Sequence, residues 1–203
     1  MAEPIAETQE TYDAIASEYL RRNSTVDPRS LNDDIAALAA VLPPGSWVAD
    51  VGCGPGREVR AMRAHGFRVV GLDLSAGQLR TGGLTGAARA DMRQLPLRTG
   101  SMDAVWCQAA LLHLPRADVP GVLAEFARAV RIGGRLHLSV ADGDGEAWEV
   151  AFNYGSQRRR WFTYHRERDL AAHLAAAGFV VEEVRRTASY RDWLAIDAQR
   201  VAT

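Results

Sequence analysis

An apolar stretch that breaks into a glycine-rich turn is the feature that most constrains the fold of this chain. Residues 48–51 read as a buried strand, and Gly52, Gly54 and Gly56 follow at alternate positions. A second apolar stretch ends in an acid, Asp73, which lies 21 residues after Gly52. Strand, glycine turn, helix, strand and acid together predict a βαβ unit that binds a nucleotide.

The residues of the turn decide which nucleotide is expected. A dinucleotide fingerprint requires a third glycine at position 57, where this chain has Arg57, and Pro55 removes one N–H from the turn. A phosphate-binding P-loop is excluded because the chain contains no lysine. The turn should therefore face a ligand without phosphates. Asp50 can meet an ammonium group and Asp73 both ribose hydroxyls, and S-adenosylmethionine carries all of these groups.

The chain resembles the class I S-adenosylmethionine-dependent methyltransferases, a broad group that includes ubiquinone/menaquinone-type C-methyltransferases and many small-molecule methyltransferases. Six segments in the family's order carry the resemblance and cover most of the chain. They are VADVGCGPG at 48–56, VVGLDLS at 69–75, ARADMRQLPL at 88–97, SMDAVWCQAALLHL at 101–114, IGGRLHLSV at 132–140 and AAHLAAAGFVVEEV at 171–184. The resemblance implies a Rossmann-like α/β fold, with seven mostly parallel strands in the order 3-2-1-4-5-7-6 and helices on both faces.

Hydrophobic periodicity predicts alternating strands and helices, which is typical of a parallel sheet. No helix separates the last two strands, so they should form a hairpin with one antiparallel strand. The Gly133-Gly134 pair reads as a turn before the fifth strand. Strands are predicted at 47–51, 68–72, 87–90, 104–108, 135–140, 180–186 and 193–201, and helices at 7–22, 30–41, 57–65, 75–81, 119–130 and 167–177.

Length, composition and charge limit the classes of protein to which the chain can belong. At 203 residues the chain is expected to form one domain, and its net charge of −1 provides no general attraction for nucleic acid. No apolar run reaches membrane length and no signal peptide precedes the domain, so we expect a cytoplasmic location and no membrane partner. A monomer or homodimer is expected. Cys53 and Cys107 read as reduced packing residues, and neither cysteines nor histidines have the spacing of a metal site.

A cofactor site is predicted where the strand order reverses, between strands 1 and 4, because open α/β sheets bind ligands there. Asp50 and the three glycines end strand 1, and Gln108 ends strand 4. Leu74 is expected beside the adenine. The resemblance further implies adenine contacts by Asp91 and Met92 and a lid carrying Tyr12 and Tyr19. The complete predicted set is Tyr12, Tyr19, Asp50, Gly52, Gly54, Gly56, Asp73, Leu74, Asp91, Met92 and Gln108.

The acceptor side is less defined. Residues 1–30 are expected to form an N-terminal lid, and 142–163 a substrate-side insertion with no place in the sheet, whose aromatic density argues against disorder. His113, just beyond strand 4, is either a general base or a structural residue. The arginines at 158–160 form either a solvated surface or a site for an anionic substrate.

Methyl transfer to a small molecule is the expected reaction, by in-line displacement driven mainly by proximity. Two alternatives remain open from the sequence. Proteins of this fold can bind the cofactor and catalyse cyclisation, elimination or decarboxylation instead, and an accessory protein can keep the pocket without turnover. The sequence does not show whether O, N or C is methylated.

Overall fold

The computed structural model describes residues 3–24 and 29–202 of the chain. Most of the predicted loop between the first two helices lies outside the described residues. The helices are α1 Pro4–Asn23, α2 Arg29–Val41, α3 Arg57–Ala64, α4 Ala76–Gly82, α5 Val119–Ala129 and α6 Glu167–Ala176. The strands are β1 Trp47–Val51, β2 Arg68–Asp73, β3 Ala87–Arg89, β4 Met102–Gln108, β5 Val130–Ala141, β6 Glu146–Val150, β7 Arg159–Thr163, β8 Phe179–Ala188 and β9 Asp192–Arg200.

Seven strands form one sheet in the order β3-β2-β1-β4-β5-β9-β8. Counted within this sheet alone, the order is 3-2-1-4-5-7-6, which confirms the predicted topology. Strands β1 to β5 pair in parallel, and β9 runs antiparallel to both β5 and β8. The chain order reverses between β1 and β4, so the carboxyl ends of these two strands border a crevice.

Helices cover both faces of the sheet and divide its core in two. On one face, α2 and α3 pack over the strands around the fully buried Trp106, and on the other face α5 and α6 pack around Phe126. Both faces of β1 and β4 are therefore covered by apolar side chains. This explains why these strands read as almost continuous apolar runs rather than alternating ones.

One stretch of the main sheet differs from the sequence prediction. The predicted turn at Gly133-Gly134 lies inside β5, which begins at Val130, and the pairing with β4 shifts register between Met102 and Ala104. A Cβ atom on Gly134 would lie 2.5 Å from a Val130 methyl group, so the irregularity requires glycine. The glycines are therefore a strand irregularity rather than a turn.

The segment 142–163 is excluded from the main sheet, as predicted, and has regular structure of its own. Strands β6 and β7 form a separate antiparallel pair, with Trp148 opposite Trp161. A short 3₁₀ turn at Phe152–Tyr154 lies in the connection between them. This hairpin packs on α1: Thr11 donates a hydrogen bond to the Arg159 carbonyl over 2.7 Å.

Candidate functional site

A cavity opens at the carboxyl ends of β1, β2 and β4, roofed by α1. Ten of the twelve residues predicted for the site line it, while Asp50 and Gly56 do not. The ten are Tyr12, Tyr19, Gly52, Gly54, Asp73, Leu74, Asp91, Met92, Gln108 and His113.

The glycine turn has a backbone conformation that strongly favours glycine. Gly52, Gly54 and Gly56 have φ angles of 78°, 53° and 85°. Space is also short, since a Cβ atom on Gly52 would lie 2.2 Å from the Ala110 Cβ atom and one on Gly56 2.0 Å from a Leu84 methyl group. Gly56 therefore packs away from the cavity, while Gly52 and Gly54 expose backbone to it.

Asp73 joins the ends of β1 and β2. Its two carboxylate oxygens accept the Gly54 N–H over 2.8 Å and the Ser75 N–H over 2.7 Å. Burial raises the pKa of Asp73, and these two hydrogen bonds oppose that effect. Each oxygen keeps a free lone pair, because a carboxylate offers about four acceptor positions. Asp73 can thus fix the turn and still accept two hydroxyl groups from a ligand.

Asp50 lies buried beside the turn rather than in the cavity wall. It is 1% exposed, and its Oδ2 atom has no hydrogen-bond partner. Burial, with Glu58 and Asp73 nearby, raises its pKa well above the ordinary value. An unpartnered buried carboxyl group among other acids favours the approach of a cation. The ammonium group of a bound amino acid would supply that charge.

Asp91 and Met92 follow β3 at the far end of the cavity. Both oxygens of Asp91 contact the Arg93 guanidinium, with a shortest distance of 2.7 Å, and this pairing helps to lower the pKa of Asp91. Leu74 and Met92 provide apolar surface beside it. These residues form a wall suited to a flat aromatic ring with a polar edge.

Helix α1 is held over the cavity by Asp13. This carboxylate accepts hydrogen bonds of 2.6 Å from both the Ser75 hydroxyl and the Gly77 N–H, at the start of α4. The helices approach closely, since a Cβ atom on Gly77 would lie 2.7 Å from the Asp13 Cα atom. Tyr12 and Tyr19, which are seven residues and therefore two turns apart on α1, thereby face the cavity.

His113 has both ring nitrogens engaged. Its Nδ1 atom lies 2.7 Å from the Trp161 carbonyl oxygen, which can only accept, so Nδ1 carries the proton. Nε2 lies 2.7 Å from the Tyr12 hydroxyl and accepts its hydrogen. Burial, followed by the charge of Arg160, lowers the pKa of His113 to about 3. The imidazole is therefore neutral near pH 7, and it links α1 to the β6–β7 hairpin.

Gln108 ends β4 in the cavity wall, and a polar chain lies behind it. Its Oε1 atom is 3.0 Å from His137 Nε2, and His137 Nδ1 is 2.8 Å from an oxygen of Asp197. His137 is 1% exposed and stacks on Trp106. This buried chain fixes the orientation of the Gln108 side chain.

The aromatic residues of 142–163 divide into two groups. Tyr154 packs on Tyr19 with a ring separation of 5.1 Å, and Phe162 packs on His113 at 4.7 Å, so both adjoin the cavity lining. Trp148 and Trp161 instead pack on each other, and Phe152 is 65% exposed. The lid remains a prediction, now centred on Tyr154 and Phe162.

Sequence reasoning missed several residues of the site. Asp13 and Gln78 align α1 with α4, and Gln78 lines the cavity with a buried Oε1 atom that has no partner. Ala109 has a φ of 52°, the one positive value outside glycine in the described residues, and also lines the cavity. Such strain is common at binding sites, but an alanine gives no sequence signal for it.

Comparisons with known proteins agree with this geometry. The methyltransferase domain family matches residues 49–138. Malonyl-[acyl-carrier protein] O-methyltransferase of Serratia marcescens is 36% identical over 150 residues, which are 67% of this chain and 58% of that protein. The chain spans about half the length of the curated relatives it matches.

Two solved structures share the fold across the whole chain. The 1,6-didemethyltoxoflavin-N1-methyltransferase of Burkholderia thailandensis has a TM-score of 0.76 at 21% identity, covering 100% of this chain and 92% of that one. The [4+2]-cyclase SpnF has a TM-score of 0.75 at 17% identity, covering 100% and 98%. The family match, the relatives and the sheet topology together show that this chain belongs to the class I S-adenosylmethionine-dependent methyltransferases.

Two further findings concern membranes and metals. Among the helices that the structure describes, none has the length and apolarity needed to cross a bilayer. Across residues 3–24 and 29–202, no group of three or more histidine, cysteine or acidic side chains is arranged to hold a metal ion.

Proposed function

We propose that this protein transfers a methyl group from S-adenosylmethionine to a small-molecule acceptor. The observation that carries the proposal is the pair of acids at the ends of β1 and β2. Asp73 lines the cavity and has free lone pairs for two ribose hydroxyls, and Asp50, buried behind the turn, has an unpartnered oxygen whose negative charge a nearby ammonium group would balance. A dinucleotide would need a third glycine where the chain has Arg57.

In this proposal the residues of the cavity bind and orient. Asp73 holds the ribose, Leu74, Asp91 and Met92 contact the adenine, and Gly52 and Gly54 let the cofactor approach the backbone. When bound, S-adenosylmethionine supplies a methyl group on an activated sulfonium leaving group. Positioning the acceptor in line with that group contributes most of the rate, because well-oriented partners gain up to about 7–11 kcal/mol.

His113 is a positioning residue in this account. Its one basic nitrogen accepts the Tyr12 hydroxyl, so a direct proton transfer from the acceptor would first require that bond to break. Because the pKa of His113 is about 3, its neutral ring is a weak base near pH 7 and takes up a proton poorly. General-base catalysis by His113, predicted as one possibility from the sequence, has no support from this arrangement and stays untested.

A thermal-shift panel tests the cofactor. S-adenosylmethionine and S-adenosylhomocysteine should stabilise the protein, by about 2.7 kcal/mol at a concentration 100 times Kd. NAD, FAD and ATP, the control ligands, should give no shift. Stabilisation by a dinucleotide in place of the methyl donor would refute the proposal.

A screen of small-molecule acceptors with radiolabelled methyl donor tests the reaction. Label on an acceptor together with released S-adenosylhomocysteine supports methyl transfer. The shared fold does not separate this reaction from cyclisation, since SpnF has the same architecture. Conversion of a substrate without S-adenosylhomocysteine release would favour the non-methylating alternative. The cytoplasmic location and the monomeric or homodimeric state stay predictions.

A further inference from the structure

Arg160 is a buried cation beside the cavity. Its exposed fraction is 6%, and its Nε atom has no hydrogen-bond partner. Its Nη1 atom donates to the Tyr12 hydroxyl over 3.1 Å. The guanidinium lies over the rings of Tyr12, Tyr154 and Phe162, with centroid distances of 5.6, 5.3 and 5.2 Å. Arg160 thus lies one side chain behind the cavity wall, among aromatic rings.

The charges around Arg160 do not balance. Arg191, the neighbouring guanidinium, already pairs with Glu149 over 2.7 Å, and the Tyr164 hydroxyl also donates to that carboxylate. No carboxylate within the described residues lies at ion-pair distance from Arg160. Burial keeps the nearby Tyr12 and His113 neutral, with pKa values of about 12 and about 3. The cluster of two arginines and one glutamate therefore carries one excess positive charge.

An excess buried charge requires an explanation. Removing an ion from water without a partner is costly, and well-packed apolar residues often serve a structural role as well or better. Three aromatic faces offset part of that cost. The two preceding arginines differ from Arg160 in burial. Arg159 pairs with Glu7 at the surface, and Arg158 is exposed. Burial thus singles out Arg160 in the basic run.

We propose that Arg160 is the anion-binding residue of the acceptor site, and that the acceptor is a carboxylate which the enzyme converts to its methyl ester. The inference rests on the proposed methyl transfer and names its substrate class. A planar guanidinium suits a carboxylate, and the surrounding rings suit an acceptor with an aromatic or apolar body. The location fits because Tyr12 joins Arg160 to the cavity and Tyr154 packs on Tyr19 in its wall.

The chemistry of the step agrees with the site. A carboxylate oxygen attacks the methyl carbon, the carbon–sulfur bond breaks, and its electron pair stays on sulfur. The products are a neutral methyl ester and a thioether, and no proton is released. A carboxylate nucleophile therefore needs no general base, which matches the engaged nitrogens of His113. Esterification also removes the charge that pairs with Arg160. The enzyme should therefore bind the ester product more weakly than the carboxylate substrate.

Calorimetry with benzoate and benzamide tests the site on protein saturated with S-adenosylhomocysteine. The two probes have similar shape and differ in charge. Wild-type protein should bind benzoate at least tenfold more tightly than benzamide, and Arg160→Met should abolish that preference. Arg158→Met, the matched control from the same basic run, should retain it. Equal affinity for the two probes, no benzoate binding at millimolar concentration, or a preserved preference in Arg160→Met would each overturn the proposal.

Thermal unfolding of the free variants separates a binding role from a structural one. Because Arg160 has no counter-ion in the free protein, Arg160→Met should unfold at the same temperature as wild type or higher. Arg160→Lys, which keeps the charge, should retain a reduced preference for benzoate. A lower unfolding temperature in both variants with an unchanged benzoate preference in Arg160→Lys and Arg160→Met would identify a purely structural residue.

Affinity for S-adenosylhomocysteine, measured first in every variant, keeps the two proposals distinguishable. If wild-type protein does not bind S-adenosylhomocysteine, the cofactor assignment itself is refuted. If it binds S-adenosylhomocysteine but does not discriminate between benzoate and benzamide, only the carboxylate site is refuted. In the acceptor screen, label on carboxylic acids should be released as methanol by mild alkali, whereas alkali-stable label on every accepted compound would contradict ester formation.

Discussion

The two halves of the cavity are built in different ways. On the cofactor side, the contacts join neighbouring turns of one βαβ unit, as between Gly54 and Asp73, which are 19 residues apart. On the proposed acceptor side, Tyr12 contacts His113 across 101 residues and Arg160 across 148. The cofactor half depends on local turn geometry, whereas the acceptor half depends on how α1 and the β6–β7 hairpin pack together. Changes in one half should therefore leave the other largely intact.

The largest effect is expected on the cofactor side. If Asp73 binds the ribose as proposed, Asp73→Ala removes two charged hydrogen bonds, each worth ~1.5–3 kcal/mol. Loss of even one implies roughly ten- to hundredfold weaker binding of S-adenosylhomocysteine, measured by calorimetry. The control is Asp103→Ala, because Asp103 also accepts a backbone N–H, from Trp47, away from the cavity. Unchanged affinity in Asp73→Ala would end the ribose assignment.

An intermediate effect is expected from two aromatic residues of the β6–β7 hairpin and its connection, which should have different roles. Tyr154→Ala removes the ring that packs on Tyr19, so methyl transfer should fall about tenfold while S-adenosylhomocysteine affinity stays within about threefold. Trp148→Ala removes a ring that packs on Trp161 and Arg159 instead, and should lower the free energy of unfolding by about 1–3 kcal/mol. An equal loss of methyl transfer in Tyr154→Ala and Trp148→Ala would contradict these separate roles. An equal loss of S-adenosylhomocysteine binding in both variants would contradict the lid prediction.

The sequence predicted the cofactor half more fully than the acceptor half, for a physical reason. A glycine turn with positive φ and an acid at a strand end leave local signals in the chain, so Gly52, Gly54 and Asp73 could be placed before the structure. The bridge from Asp13 to α4 and the strained Ala109 have no such signal, because both depend on distant packing.

Arg160 shows what the sequence alone could not separate. From the sequence, the run of three arginines is either a solvated surface or a site for an anionic substrate, and nothing distinguishes its three members. Once 159–163 is assigned as a strand, side chains alternate between two faces, and Arg160 shares a buried face with Phe162 while Arg159 points to the surface. The hairpin was missed because its strands are short and half exposed, with polar and aromatic residues mixed.

The last effect concerns the free protein alone, in the pH dependence of its stability. The pKa of His113 is lowered from 6.5 to about 3, so the unfolded chain binds its proton more readily than the folded protein does. Stability should therefore rise with pH between about 3 and 6.5, and be lost as pH falls through that window. His113→Gln should show a flatter profile in thermal unfolding. His165→Gln, which removes an imidazole with a pKa lowered to about 4, should remove a separate part of the pH dependence of stability. Profiles parallel to wild type would show that His113 titrates normally.

Hydrogen exchange with mass spectrometry, with and without saturating S-adenosylhomocysteine, tests the division of the cavity most directly. The account predicts that the ligand slows exchange in residues 50–56 and 73–78, where backbone amides surround the predicted ribose and methionine. Residues 146–163 should change little until a carboxylate acceptor analogue is added. Protection concentrated in 146–163, with none at the glycine turn, would contradict the account.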